Sequence, residues 1–235
     1  MKEETYEKLD STVIGIRYIP TFKIADDFGS IADDILYTKN AFFSTKVFSH
    51  VTISGPFEMV FIDEKKKNDK LTINNANIIL EMSFDESNVE EDLIHIRNAF
   101  KKEILYGVIK KYKIKEISRI GHITKRTLHS SKFSKDIVNA ASKMEGARDL
   151  HLKFSKKIPV EEAIFKKDIN DYNNIIHTIE KGLDKDEFSV SLDYQRYYEP
   201  ALESSDDIEY DNFMKDADSY YFKEFYSWLN EICEK

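Results

Sequence analysis

Three histidines are the residues whose types and spacing come nearest to a metal site in this sequence. His122 and His129 fall in or beside one predicted strand, and His151 falls where a neighbouring strand is expected. Imidazoles brought together from adjoining strands can bind zinc. The sequence contains neither an H-x-H nor an H-E-x-x-H pattern, and a histidine hydrogen-bonded within a sheet is much more common than a metal ligand. We therefore predict no metal site.

Nucleophilic and cofactor chemistry find no support in the motifs. Cys233 is the only cysteine and falls in a predicted helix, and no serine stands in a G-x-S-x-G pattern. The seven glycines form no G-x-G-x-x-G or G-K-[ST] pattern, so no phosphate-binding loop is expected. Paired carboxylates such as Asp26 and Asp27 diverge by about 100° on a helix, which is typical of a solvated face. We predict no catalytic residue and no cofactor.

One cluster of basic residues stands out in a chain whose net charge is −8. Such residues could contact phosphate groups. Lysines at a helix C-terminus and on an edge strand explain the same pattern, and no interleaved aromatic residues accompany them. We therefore expect weak phosphate contact at most, and we consider nucleic acid an unlikely partner. The candidate residues are Lys110, Lys111, Lys113, Arg119, Lys125 and Arg126.

Two aromatic residues near the C-terminus form a candidate interaction surface. When residues 213–232 are placed on a helix, apolar side chains cover about half of its circumference, and Phe222 and Tyr226 are left on the far side. Exposed aromatic residues grouped in this way often mark an association site. We predict a homodimer or a protein-partner contact through both residues. The alternative is that the N-terminal segment around Tyr6 and Leu9 or the loop near Pro200 covers them.

The candidate residues are expected to be positioned by one long helix and the strand that follows it, over residues 87–128. Ser87 and Glu90 have the spacing of a capping box, which predicts the start of the helix. Residues 114–123 are expected to form the strand. Apolar residues recur in the helix at steps of three and four, so that one face should pack on a sheet: Val89, Leu93, Ile96, Phe100 and Ile104.

Strand and helix patterns surround this central element on both sides. Before it, alternation predicts a strand over 12–19, then a short helix and a meander of strands over 42–84. After it, the sequence predicts a second short helix, more strands and a final helix. The short helix is predicted at 133–141 and the final helix at 211–232. The strands are predicted at 149–154, 163–169, 174–180 and 187–197.

The order of elements repeats, which predicts two structural repeats over residues 1–113 and 114–235. Ile14-Gly15 in the first strand corresponds to Ile120-Gly121 in the second half. We expect an α+β protein, one compact unit in which two β-α-meander-α repeats form a curved antiparallel sheet. Two long helices should pack on one face of it, in an arrangement analogous to that of TATA-binding protein. The analogy concerns architecture only.

Three segments carry a resemblance to a known family. SRIGHITKR at 118–126 resembles the R-I-G-L-R-Y-I-N-R-like central strand of a sporadically distributed prokaryotic family of unknown activity. TVIGIRYIP is similar to the opening strand of that family, and FSVSLDYQR, followed by an acidic loop and a terminal helix, is similar to its ending. His122 and Thr124 depart from the family's arginine-tyrosine neighbourhood. The resemblance implies the fold and a prokaryotic origin, and it implies no activity.

Composition narrows the classes of function. The chain of 235 residues is 41% hydrophobic, which suffices for a self-supporting core. Its N-terminal residues lack the apolar core of a signal peptide and no apolar run could span a membrane, so we expect a cytoplasmic protein without membrane contact. We predict a non-enzymatic protein-interaction module. The alternative is a protein that binds a small apolar ligand between the sheet and a long helix, in a pocket of more than roughly 300 Å³.

Overall fold

The dominant element of the protein is a nine-stranded antiparallel sheet with the order β2-β3-β4-β5-β1-β6-β9-β8-β7. The computed structural model describes residues 6–37, 48–55, 57–63, 68–84, 89–129, 151–160, 169–181 and 187–234. The predicted α+β class with an antiparallel sheet is confirmed. The strands are β1 (Tyr6–Tyr18), β2 (His50–Ile53), β3 (Glu58–Ile62), β4 (Lys70–Asn74), β5 (Asn77–Ser83), β6 (Ile117–His129), β7 (His151–Pro159), β8 (Tyr172–Lys181) and β9 (Glu187–Leu202).

Strands β1 and β6 lie side by side at the centre of the sheet. Their antiparallel register places Gly15 opposite Gly121 and Arg17 opposite Arg119. Strand β5 flanks β1 on one side, and β9 flanks β6 on the other. The two glycine-containing strands, which are far apart in sequence, are therefore in direct contact.

Alternate residues of the central strands are buried beneath the helices. Ile14 on β1 and Ile120 on β6 are both 0% exposed, whereas the intervening Val13 and Gly121 are partly exposed. Side chains of a strand point alternately to its two sides, so this pattern means that helices cover one side only. We call the helix-packed side the covered face and the other side the open face.

The prediction of two long helices packed on one face is wrong. Each of the two long helical runs is divided into α-helical and π-helical segments, and two short helices, α1 (Lys23–Asp26) and α2 (Phe28–Tyr37), follow β1. The central helix consists of α3 (Val89–Ala99) and a π-helix (Phe100–Ile109). The terminal helix consists of α4 (Tyr210–Ser219), a second π-helix (Tyr220–Phe225) and α5 (Tyr226–Glu234).

The apolar sequence of the first π-helix explains its geometry. Hydrogen bonds from residue i to i+5 reduce the rotation per residue, so that neighbouring pairs can stay on the same side of the helix. The apolar arc that widens along this part of the sequence is accordingly buried: Phe100, Ile104, Leu105, Val108 and Ile109. A regular α-helix would have turned part of this arc toward solvent.

Several element boundaries differ from those predicted. Strand β1 begins at Tyr6, and β9 continues past Pro200 to Leu202, which pairs with Ile117. The predicted end of this strand at residue 197 is therefore too early, because the register shift between Ile117 and Arg119 lets the strand resume after the proline. The predicted helix at 133–141, Ser87 of the capping box and most of the predicted strand at 163–169 lie outside the described residues.

None of the helices in the described part of the chain is both long and apolar enough to span a membrane. The cytoplasmic location stays a prediction.

Candidate functional site

A shallow depression lies at the centre of the open face. Its volume is about 110 Å³, and Gly15 and Gly121 form its floor. A Cβ atom added at either glycine would meet its nearest neighbours at 3.7 Å, which is an ordinary contact. The depression therefore exists because two facing positions lack side chains, and not because the backbone excludes them. Its remaining lining residues include Val13, Arg17, Asn77, Ile79, Arg119, Ile123, Asp193 and Gln195.

Two arginines stand directly opposite each other at one end of this depression. Arg17 on β1 pairs with Arg119 on β6. Among the described residues, Arg17 is exposed and has no hydrogen bond or ion pair from its side chain. Like charges that face each other across antiparallel strands are destabilising. The pair therefore forms a local concentration of positive charge that the described part of the chain does not neutralise with a direct ion pair.

A hydrogen-bonded network on β9 holds Arg119 in place. Its Nη1 donates to the Tyr197 hydroxyl at 3.1 Å, and its guanidinium lies 5.5 Å from the centre of the Tyr197 ring. The Tyr197 hydroxyl donates to Gln195 Oε1 at 3.0 Å, and Gln195 Nε2 donates to the Asp193 carboxylate at 2.6 Å. Burial raises the pKa of Asp193, while the hydrogen bond from Gln195 and the charge of Arg119 oppose that shift. The network fixes the direction of one arginine and leaves the other free.

The open face continues from the depression toward the other end of the central strands. A wider groove there has a volume of about 530 Å³ and shares Val13 with the depression. Its lining is mixed in charge, since Lys125 lies among Glu81, Glu187 and Asp10. The Arg17–Arg119 pair lies at the other end of the open face, where Asp193 also lines the depression but forms no direct ion pair with either arginine among the described residues.

The predicted basic cluster is divided among three places. Lys110 pairs with Asp206 at 2.9 Å and Lys111 pairs with Asp34, both near the end of the central helix. Lys113 is exposed just beyond this helix, at a φ of 53°. Arg126 lies on the covered face, where its Nη1 donates to Glu7 at 2.6 Å. Only Arg119 and Lys125 belong to the open face, so the six residues do not form one phosphate-binding surface.

The two predicted interaction residues differ in their exposure. Phe222 is 55% exposed, whereas Tyr226 is half-buried. Phe222 packs edge-on against Tyr221 at 5.1 Å, and the Arg126 guanidinium lies 5.4 Å from its ring. Tyr221 in turn donates a hydrogen bond to Glu7 at 3.0 Å. The start of β1 therefore lies beside this part of the terminal helix, as the alternative explanation expected, but it leaves Phe222 largely uncovered.

A second cavity, the helix–sheet pocket, lies between the covered face, helix α3 and the terminal helix. Its volume is about 370 Å³. Strands β1 and β6, helix α3 and the terminal helix all contribute to it. The lining residues are Glu7, Lys8, Leu9, Glu90, Leu93, Ile94, Arg97, Arg126, Asp218 and Phe222. Phe222 and Arg126, which the sequence analysis treated as members of separate surfaces, thus meet at one pocket.

Two arginines with incomplete hydrogen bonding lie at this pocket. Arg97 is 9% exposed, and its two terminal nitrogens each donate to the Asp218 carboxylate at 2.7 Å. The Nε atoms of Arg97 and Arg126 are both buried without a hydrogen-bond partner. Unsatisfied buried donors are uncommon and call for an explanation such as a bound water or ligand.

His122 lies in surroundings that favour its neutral form. His122 is buried on the covered face within 2.9 Å of the Thr12 hydroxyl, and burial together with Arg97 and Arg126 lowers its pKa well below the usual value. His151 lies across from Glu180 at 2.9 Å on the edge pair of strands. No group of three metal-binding side chains occurs among the residues that the structure describes.

Arg17, Arg97, Asp193 and Gln195 were not predicted as site residues. The segments GIRY and RIG each carry an arginine two positions from a glycine, but only the strand register shows that the arginines face each other. Comparison with protein-family models and with curated proteins found no match for this chain.

Proposed function

We propose that the protein is a non-enzymatic interaction module that binds an acidic segment of a protein partner on its open face. The observation that carries the proposal is the Arg17–Arg119 pair, which lacks a direct carboxylate partner among the described residues and borders the glycine-floored depression. A carboxylate placed between the two guanidiniums would accept charge-assisted hydrogen bonds from both. It would also offset the repulsion between the two arginines. Relief of this unfavourable contact in the free protein would add to the affinity for the partner.

A protein partner fits this surface better than a nucleic acid does. A nucleic acid laid along the groove would bring its phosphates against Glu81, Glu187 and Asp10 at the far end. The net charge of −8 would oppose it further. A partner with one acidic cluster needs only the arginine end, and the rest of its contact can be neutral.

We also propose that residues 1–113 and 114–235 are structural repeats in a TATA-binding-protein-like arrangement. Support comes from the strand order, because β5, β4 and β3 follow outward from β1 as β9, β8 and β7 follow from β6. The register between Gly15 and Gly121 supports an axis at that point. Such an axis would relate Arg17 to Ile123 and Arg119 to Val13. The arginine end is thus unique, and an acidic partner should bind in one orientation.

Capture of the partner tests the proposed function. The wild-type protein and Arg17→Glu would be used as bait in an extract of the native host, with bound protein, nucleic acid and small molecules all scored. We expect a protein captured by the wild type to be released by salt and to be missing with Arg17→Glu. Lys215→Glu is the matched control, because it makes the same change of charge at an exposed position of the terminal helix.

Two results would contradict the proposal. Equal capture by wild type and Arg17→Glu would show that the open face is not the binding surface. Recovery of nucleic acid in place of a protein would overturn the class of partner.

Self-association through Phe222 and Tyr226 is a separate proposal, supported by the exposure of Phe222. The double change Phe222→Ser, Tyr226→Ser should weaken association without loss of the fold. Sedimentation of both forms measures this, and a wild type that stays monomeric at high concentration would rule out a homodimer through these residues.

The second candidate function is the binding of a small ligand between the sheet and a helix. The specific observation in its favour is the helix–sheet pocket, whose volume of about 370 Å³ lies within the range of ligand sites.

A further inference from the structure

We infer that the helix–sheet pocket binds a small molecule with an apolar body and an anionic head group, such as a medium-chain carboxylate. This inference rests on the second candidate function and is independent of the partner proposed for the open face. It adds the chemical class of the ligand and the residues that would recognise each part of it.

The apolar body is suggested by the walls and the mouth of the pocket. Leu9 and Leu93 are buried in the wall, whereas Ile94 is 57% and Phe222 is 55% exposed. Two large exposed hydrophobic side chains, one from each long helix, therefore flank a single cavity. An apolar chain placed between them would remove both from water, which is the dominant gain for a ligand of this type.

Arg126 supplies the binding group for the head. Its Nη1 is bound to Glu7, and its guanidinium lies 4.4 Å from the centre of the Tyr221 ring, so its direction is fixed. Its Nη2 has no hydrogen bond among the described residues and is not among the fully buried unsatisfied atoms. This nitrogen can donate to a carboxylate without breaking the ion pair with Glu7.

Among the charged groups that line the pocket, Arg126 is the residue that we expect to recognise the head group of the ligand. Lys8, Arg97 and Arg126 line it together with Glu7, Glu90 and Asp218, so the lining has no excess of either sign. Asp218 occupies both terminal nitrogens of Arg97. The proposed preference for an anion therefore comes from the available donor of Arg126.

Displacement of a fluorescent probe tests the inference. Anilinonaphthalene sulfonate combines an aromatic body with an anionic head, and it would be titrated into the folded full chain and then displaced with decanoate or decanol. We expect saturable probe binding and displacement by decanoate at a concentration about tenfold lower than decanol requires. Arg126→Gln should remove this difference between the two competitors.

Two isoleucines of equal exposure provide the matched comparison. Ile94→Ser removes an apolar contact at the pocket mouth and should weaken probe binding by about tenfold. Ile53→Ser changes a residue that is 58% exposed on β2, outside the pocket lining, and should leave probe binding unchanged. Both changes are at exposed positions, so the test holds even if Arg126→Gln fails to fold.

The possible failures are distinguishable. Absence of saturable probe binding, or equal loss with Ile53→Ser and Ile94→Ser, would overturn the pocket as a ligand site and with it the second candidate function. Equal displacement by decanoate and decanol would overturn the anionic head group and retain an apolar ligand. Neither result would alter capture of an acidic protein through Arg17, because Arg17 does not line this pocket.

Discussion

The two faces of the sheet are built from the same strands but have opposite properties. On β1, Ile14 and Ile16 are buried beneath the helices, whereas Gly15 and Arg17, next to them in sequence, lie on the open face. The covered face buries apolar side chains and most of its charges are paired. The open face has a depression and an arginine pair without direct counter-charges among the described residues. Burial on the covered face stabilises the fold, while the open face retains unfavourable contacts that a partner could relieve.

The largest expected effect is on the covered face. Phe100 is 0% exposed and stacks on Tyr210 at 6.2 Å, which joins the central helix to the terminal helix. Phe100→Ala should cost about 3–5 kcal/mol of unfolding free energy because it leaves a cavity. Denaturant unfolding measures the loss, and the exposed Phe22 provides a control through Phe22→Ala. An unchanged melting temperature for Phe100→Ala would mean that the covered face does not carry the stability.

A second effect on the covered face depends on pH. His177 is buried between aromatic rings, with Phe154 stacked at 4.5 Å and Phe225 at 4.9 Å. Burial lowers its pKa from 6.5 to about 4, and the charge of Lys156 acts in the same direction. The unfolded chain therefore binds more protons in this interval, so stability should fall as the pH decreases from 6.5 to about 4.

Substitution of His177 isolates this contribution. In the wild type, the free energy of unfolding should fall by roughly 3 kcal/mol between pH 6.5 and about 4 because of this histidine. His177→Phe should remove that part of the pH dependence. His151→Asn at the exposed edge strand is the control. If His177→Phe and wild type lose stability in parallel on acidification, the buried histidine is not the cause.

On the open face, filling the depression should spare stability and reduce binding. A Cβ at Gly121 would lie 3.7 Å from Gln195 Cγ and 4.0 Å from the Tyr194 carbonyl oxygen, so alanine fits. Gly121→Ala should stabilise the strand by about 0.5–1 kcal/mol because glycine loses more conformational freedom on folding. Partner capture should decrease at the same time. Destabilisation measured by thermal unfolding would show that the floor of the depression is needed for folding.

Charge reversal of Arg17 should give the smallest change in stability. Glutamate at this position would face Arg119 across the strands and replace a repulsive pair with an attractive one. We expect a gain of about 0.2–1 kcal/mol in unfolding free energy. Chemical denaturation of Arg17→Glu beside Lys215→Glu checks this, and a clear loss of stability in the first alone would mean that Arg17 supports the fold.

Sequence patterns identified the strands better than the sites. The alternation at 12–19 and 187–197 predicted β1 and β9, because a half-covered sheet imposes a period of two on its residues. The pairing of Arg17 with Arg119 could not be predicted in this way, since it depends on the register between strands that are distant in sequence. The π-helical segments were missed because apolar spacing alone does not distinguish hydrogen bonds to i+4 from those to i+5. The basic cluster was divided because its lysines at 110–113 lie at the end of the central helix, whereas Lys125 and Arg126, neighbours on β6, lie on opposite faces of the sheet.

The affinity of the recovered partner for Arg17→Glu tests most directly whether the open face is the binding surface. The partner captured by the wild type would be purified and titrated against wild type, Arg17→Glu and Lys215→Glu, with the unfolding free energy measured on the same samples. We expect Arg17→Glu to bind about tenfold or more weakly while it is at least as stable as wild type, and Lys215→Glu to bind as wild type does. Wild-type affinity in Arg17→Glu would contradict the assignment of binding to the open face.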